Sequence, residues 1–136
     1  MRTTGEVIQA LRTHDAEIAK VDDVGVGGGV VDRLREQRMP TVGLNGGNRP
    51  RDRQRFVNAR AEWYWGLRER FEHGEIDIDP ADEVLAEQLC SIRYKLDSLG
   101  RIQIESKEEM RGRGVASPDR ADALALAFAD ASFELG

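Results

Sequence analysis

The sequence predicts an α/β fold, and three stretches carry that reading. The chain opens with helix, strand, helix and strand patterns in that order, which favours parallel strands joined by a helical crossover. "SIRYKLDSLGRIQIES" alternates apolar and polar residues on both sides of "DSLG", the pattern of a β-hairpin. "SPDRADALALAFADASFEL" closes the chain as a helix with a strongly marked start: Ser117 as cap, Pro118 first, Asp119 next.

Each element has its own justification. "TTGEVIQALRTHD" sets Val7, Ile8 and Leu11 at helical spacing, with Thr3 or Thr4 as its cap. "EIAKVDD" is a short strand ending at Asp22 and Asp23. From about Gly27, "GGGVVDRLREQRM" is a helix with Val30, Val31 and Leu34 inward, and "PTVGL" is a second strand. "NGGNRPRD" is the most loop-like stretch of the chain. A long helix is expected from about Arg51 to His73, with Phe56, Ala59 or Arg60, Trp63, Leu67 and Phe71 or Arg70 along one face, and Gly74 as its stop. "IDIDPADEVLAEQLC" gives a brief extended piece and then a helix capped by Asp79, with Pro80 in its first turn.

The composition narrows the function classes. At 136 residues the chain fits one domain, 1–136, with room for a real core. Hydrophobic residues make up 40% and charged residues 33%, which fits a globular chain rather than a disordered one. A formal charge of −5 argues against a generally basic nucleic-acid binder, so any DNA contact needs a local basic patch. Cys90 is the only cysteine, which excludes an internal disulfide and a cysteine-based zinc site. The N-terminus lacks the apolar core of a signal peptide, and no apolar run is long enough to span a membrane.

The glycine cluster in "KVDDVGVGGGVVDRL" invites two functional readings. Gly25, Gly27 and Gly28 begin a dinucleotide fingerprint, but Val30 stands where its third glycine belongs and no ribose acid follows at the right distance. The other reading gives the lead to Asp22 and Asp23. Ligands in α/β sheets bind at the carboxyl ends of strands, and a glycine turn there lets a bulky polyanion approach the backbone. A plain helix start with acids favouring the dipole accounts for this stretch equally well.

The last helix adds weight to the acids. Asp119 and Asp122 are three apart and share one side of its first turn. Asp119 has a structural reason to be there; Asp122 has less of one, among Ala121, Ala123, Leu124 and Ala125. The alanines would let the helix lie close against a sheet. Acids from a strand end and from a closely packed helix suit a two-metal phosphodiesterase centre, whose ions share carboxylates from separate elements.

"VDDVGVGGGVVDRL" together with "SPDRADALALAFA" resembles the nuclease domain of the large terminase subunit of tailed bacteriophages. "FVNARAEWYWGLRERFEHGEIDID" and "GRIQIESKEEMRGRG" resemble the segments between, so the likeness covers nearly the whole chain. It implies an RNase H-like mixed sheet flanked by helices, with a β-hairpin before the C-terminal helix. It implies cutting of concatemeric viral DNA during packaging with Mg²⁺ or Mn²⁺. Asp22 matches the acid of the family's second catalytic strand, Asp122 that of its final helix, and Asp119 a position that is often a second polar ligand. The implied partners are double-stranded viral DNA, a terminase ATPase domain, the small terminase subunit and the portal, in the cytoplasm of a bacterial host. The family's first catalytic acid lies on the opening strand of the domain. This chain is therefore expected to be N-terminally truncated, without the first strands and the ATPase motor. That in turn implies self-association or pairing with another chain to cover an exposed sheet edge or face, and weak metal binding with little cutting by the chain alone; the alternative to an endonuclease is an inactive remnant acting as a folding or docking module.

Gly25 and Gly27 are DNA-contact candidates at the glycine turn, and Lys107, Arg111 and Arg113 in "KEEMRGRG" are candidates for the DNA backbone. The arginines of "RPRDRQRFVNAR" are weaker candidates, since such runs are usually solvated faces. "WYW" at Trp63 to Trp65 is expected to pack on a helix rather than to stack bases.

Overall fold

The computed structural model describes residues 2–23 and 26–130, with Val26 and Gly27 described in their backbone alone. They fall into two compact units, one built on the chain up to Asn45 and the other on Gly46–Ala129.

The first unit is the expected helix–strand–helix–strand run: α1 (Arg2–Thr13), β1 (Ala19–Asp22), α2 (Val26–Glu36) and β2 (Thr41–Leu44). β1 and β2 pair in parallel, with Ala19 opposite Thr41 and Asp22 opposite Leu44, and α2 is the crossover between them. Leu11, Val31, Leu34, Val42 and Leu44 are buried. Thr4 is buried too, inside α1 rather than capping it, because the helix already starts at Arg2. Both helices end without glycine. Asp15 and Arg38 take the left-handed conformation at φ 49° and 57°. The N–H groups of Ala16 and Met39 then reach back to Leu11 O and Leu34 O, each at 2.9 Å, closing the last turns.

The second unit holds α3 (Ala59–Glu72), α4 (Glu83–Ser91), the antiparallel hairpin β3 (Tyr94–Leu96) and β4 (Ile102–Ile104), α5 (Lys107–Gly112) and α6 (Asp119–Phe128). α3 starts eight residues later than its apolar pattern suggested, at Ala59 rather than Arg51. Asn58 caps it, accepting from Ala61 N at 2.9 Å, while Asp52 closes a separate turn by accepting from Gln54 N and Arg55 N. The Glu62 carboxylate anchors that turn through Arg51 N and Asp52 N, each at 2.9 Å. The inward face of α3 is Ala61, Tyr64 and Leu67, so Tyr64 takes the core position expected of Trp63; both tryptophans are partly buried against the same core. Gly74, at φ 66°, follows α3 as expected of a helix stop.

Two other caps lie elsewhere than expected. Asp82 caps α4, accepting from Leu85 N at 3.0 Å, whereas Asp79 closes the preceding turn through Ala81 N. Pro118 occupies the cap position of α6 without a side-chain bond, and Ser117 donates to Asp119 instead, at 2.7 Å. The hairpin turn is built by Asp97, whose carboxylate accepts from Leu99 N, Arg101 N and Arg101 Nε, and by Gly100 at φ 77°. β4 has a second neighbour, since Phe56 bridges Ile102 in parallel. α6 packs on α3 and α4 through Ala121 and Ala125, both nearly inaccessible. Small side chains there let helix axes approach closely. No helix among the described residues is long and apolar enough to cross a membrane.

Candidate functional site

Asp122 is a carboxylate of the second unit held by side chains from two other helices. It lies in the first turn of α6, where the alanine face draws the helix against α3. Arg60 and Tyr64 are one helical turn apart on α3 and meet it from one side. Arg60 Nη1 donates to Asp122 Oδ1 at 2.8 Å, and the Tyr64 hydroxyl donates to that same oxygen. The other oxygen, Oδ2, is buried and accepts no hydrogen bond. Lys107 Nζ stands 3.2 Å from it, an ion pair without hydrogen-bond geometry.

The electrostatics follow from burial. The Asp122 side chain is 16% exposed and that of Arg60 19%, so their charges interact with less screening than surface charges do. Burial, followed by the hydrogen bond to Asp122, pushes the Tyr64 hydroxyl well above the ordinary tyrosine range. Tyr64 therefore stays protonated and acts as a donor. The Arg60 guanidinium also lies 5.0 Å above the Tyr64 ring. The loop ahead of α3 is shaped around this arginine. Gly46 O accepts from Arg60 N at 2.9 Å, and a Cβ on Gly46 would come within 3.1 Å of Arg60 Cβ.

The remaining candidates of this unit divide. Asp119 shares the first turn of α6 with Asp122 but is exposed and accepts from Ser117. Lys107 opens α5, whose cap Ser106 accepts from Glu109 N at 3.0 Å, and α5 brings it to Asp122. Arg111 is exposed in the last turn of α5. Arg113 is engaged by Glu105: Nε lies 2.5 Å from Oε1 and Nη2 2.9 Å from Oε2, and Nη2 also donates to Ser91 O. That bidentate grip holds the Glu105 carboxyl below its usual range. Arg113 thus ties the end of α4 to the residue that follows β4.

In the first unit, Asp22 ends β1 with its side chain exposed. Asp23 prolongs the ladder, donating its N–H to Leu44 O at 3.1 Å. Its carboxylate lies across Gly43 of β2, where a Cβ would stand 2.7 Å from Oδ2 and 2.9 Å from Asp23 Cβ. Gly27 belongs to the first turn of α2 rather than to an open turn, and Gly25 lies outside the described residues. Within neither unit do three or more histidine, cysteine, aspartate or glutamate side chains gather as a metal-holding group among the described residues. Arg60 and Tyr64 were not singled out as site residues by the sequence. The available signal was an arginine at an inward position of an amphipathic helix.

The parallel β–α–β run of one unit and the antiparallel hairpin and final helix of the other match the RNase H-like α/β fold of a phage terminase nuclease domain. The particular likeness is to the nuclease domain of the large terminase subunit gp2 of bacterial virus Sf6. One solved structure of that domain superimposes with a TM-score of 0.72 at 25% identity, covering 86% of this chain and 66% of that one. A mutant solved with manganese gives 0.70 at 24% identity, covering 86% and 67%. A mutant solved with calcium gives 0.70 at 24%, covering 86% and 66%. The chain thus spans about two thirds of the length of these neighbours. No family model matches the sequence, and no curated protein matches it.

Proposed function

We propose that this chain is a divalent-metal-dependent DNA endonuclease domain of the terminase large-subunit type, acting on concatemeric viral DNA. The observation that carries the reading is Asp122: in a fold shared with a phage terminase nuclease, its carboxylate is fixed through one oxygen while the other, buried, accepts no hydrogen bond. A hard carboxylate oxygen of that kind fits Mg²⁺ or Mn²⁺, and neighbouring nuclease domains were solved with manganese and calcium.

In this reading Asp122, Asp119 and Asp22 are metal ligands, with Asp122 contributing Oδ2. Bound ions would supply water activation and charge stabilisation for phosphodiester hydrolysis. Lys107, 3.2 Å from Asp122 Oδ2, balances the carboxylate until an ion does, and its ammonium can then face a phosphate oxygen. Arg111 is the exposed cation of α5 suited to the DNA backbone. The proposed partners are double-stranded viral DNA, a terminase ATPase domain, the small subunit and the portal, in the host cytoplasm.

The test is conversion of supercoiled plasmid by the purified chain with Mn²⁺ or Mg²⁺, beside Asp122→Asn, Asp22→Asn and a chelator. Cutting that needs metal and both aspartates supports the proposal. Metal-independent cutting, or cutting that survives both substitutions, sinks it. Specific metal binding with no cutting favours the inactive folding or docking module instead.

A further inference from the structure

We infer that Tyr64 and Arg60 are positioning residues for Asp122, locking its carboxylate through Oδ1 so that Oδ2 alone is presented to a divalent cation. The inference rests on the reading of Asp122 as a metal ligand. A carboxylate has two oxygens with about four acceptor sites, and both hydrogen bonds here fall on one of them. The donors come from two directions, a phenol and a guanidinium, so the carboxylate plane cannot turn without losing one of them. Both donors are themselves fixed. Tyr64 is 8% exposed in the core, and the Arg60 guanidinium lies over the face of the Tyr64 ring.

The grip of Arg60 on Asp122 is asymmetric, on Oδ1 alone. A salt bridge serving stability alone gains most when the arginine grips both carboxylate oxygens, as Arg113 does with Glu105. Arg60 leaves Nε and Nη2 buried without an acceptor and reaches one oxygen only. The second oxygen is left to Lys107, whose Nζ stands 3.2 Å from Oδ2 without hydrogen-bond geometry and is the group that an ion would displace. Outer-shell partners of ligating carboxylates commonly act this way, setting orientation and affinity.

The experiment is calorimetric titration of Mn²⁺ into the whole chain, comparing wild type, Tyr64→Phe, Arg60→Lys and Asp122→Asn, with thermal melting of each. Tyr64→Phe removes one hydroxyl and no charge, so any loss of metal affinity is not a Coulomb effect. Its Mn²⁺ affinity is expected to fall about tenfold, at temperatures where its circular dichroism matches wild type. Arg60→Lys keeps the charge but not the geometry and is expected to weaken binding as well. Wild-type affinity in both variants, with binding lost in Asp122→Asn, overturns the positioning role and leaves Asp122 a ligand. Wild-type affinity in Asp122→Asn, or no Mn²⁺ binding by the wild-type chain, overturns the ligand reading on which the inference rests.

Discussion

Arg60 Nη1 donates to Asp122 Oδ1 at 2.8 Å, joining α3 to α6 across 62 residues of sequence. The pair is more than a surface contact, because both side chains are largely withdrawn from water. Lys107 from α5 makes it a three-charge cluster with two cations and one anion. Side chains from three separate helices therefore meet at one carboxylate.

Removing that carboxylate should cost stability as well as any metal site. Asp122→Ala leaves Arg60 with an unpaired charge and Tyr64 without its acceptor. Hydrogen bonds to charged groups contribute roughly 1.5–3 kcal/mol, so a loss of about 2 kcal/mol is expected in urea melts. Arg60→Met combined with Asp122→Leu should recover much of it, since replacing a buried ion pair with apolar residues is often close to neutral. A single Asp122→Ala variant as stable as wild type would mean that the cluster does not hold these helices together.

The Glu105 and Arg113 pair makes a pH claim. Arg113 holds the folded-state pKa of Glu105 below the ordinary value of 4.5. A depressed carboxyl contributes stability that is present above its unfolded pKa and lost as pH falls through its folded one. Glu105→Gln should therefore melt at a lower temperature than wild type at pH 7. The gap should narrow below about pH 4.5, near the ordinary glutamate pKa, and close once the native carboxylate has titrated. A gap that is constant from pH 7 down to pH 3 would assign the effect to packing rather than to charge.

What was legible in the sequence was set by local rules. The helix–strand–helix–strand order, the hairpin around "DSLG" and the glycine stop after α3 all come from periodicity and turn chemistry within a few residues. The start of α3 was misplaced because apolar spacing runs back to Phe56, while the competing signal, Asn58 as cap, lay inside the run. Asp79 and Asp82 both precede a helix, and only the register of the turn decides which one caps. The partners of Asp122 were hidden for a different reason. Arg60, Tyr64 and Lys107 are separated from it by at least fifteen residues, and only the packing of α3, α5 and α6 brings them to it. Arg113 likewise resembled a free basic residue because its partner, Glu105, sits across α5.

Gly43 should prove necessary for a steric reason, not a conformational one. Its Cβ would meet both Oδ2 and Cβ of Asp23 at under 3 Å, and the nearer Asp23 atom to the backbone cannot swing away. Gly43→Ala must therefore shift Asp23 or the strand tip, at a cost on the order of 1 kcal/mol. Pairing it with Asp23→Gly should remove most of that cost. Equal destabilisation with and without the Asp23 carboxylate would show that the strand itself, not the contact, needs the glycine.

DNA binding separates the three cations of "KEEMRGRG", which look equivalent in sequence. Each cation that neutralises a phosphate contributes about 0.9 to the slope of log affinity against log salt concentration. Arg111 is exposed at the end of α5, so Arg111→Ala should lower the slope by about that amount without changing the melting temperature. Arg113 is held by Glu105 and Ser91 O, so Arg113→Ala should lower the melting temperature while leaving the slope unchanged in the fraction that folds. Lys107 is intermediate, half exposed and paired with Asp122. Without metal, Lys107→Ala should have little effect on the slope. With Ca²⁺, which occupies Asp122 in the proposed reading, the freed ammonium should count as one contact. Fluorescence anisotropy on a short duplex between low and moderate salt gives all three slopes. Equal slopes for Lys107→Ala with and without Ca²⁺ would show that this lysine does not pass from carboxylate to phosphate.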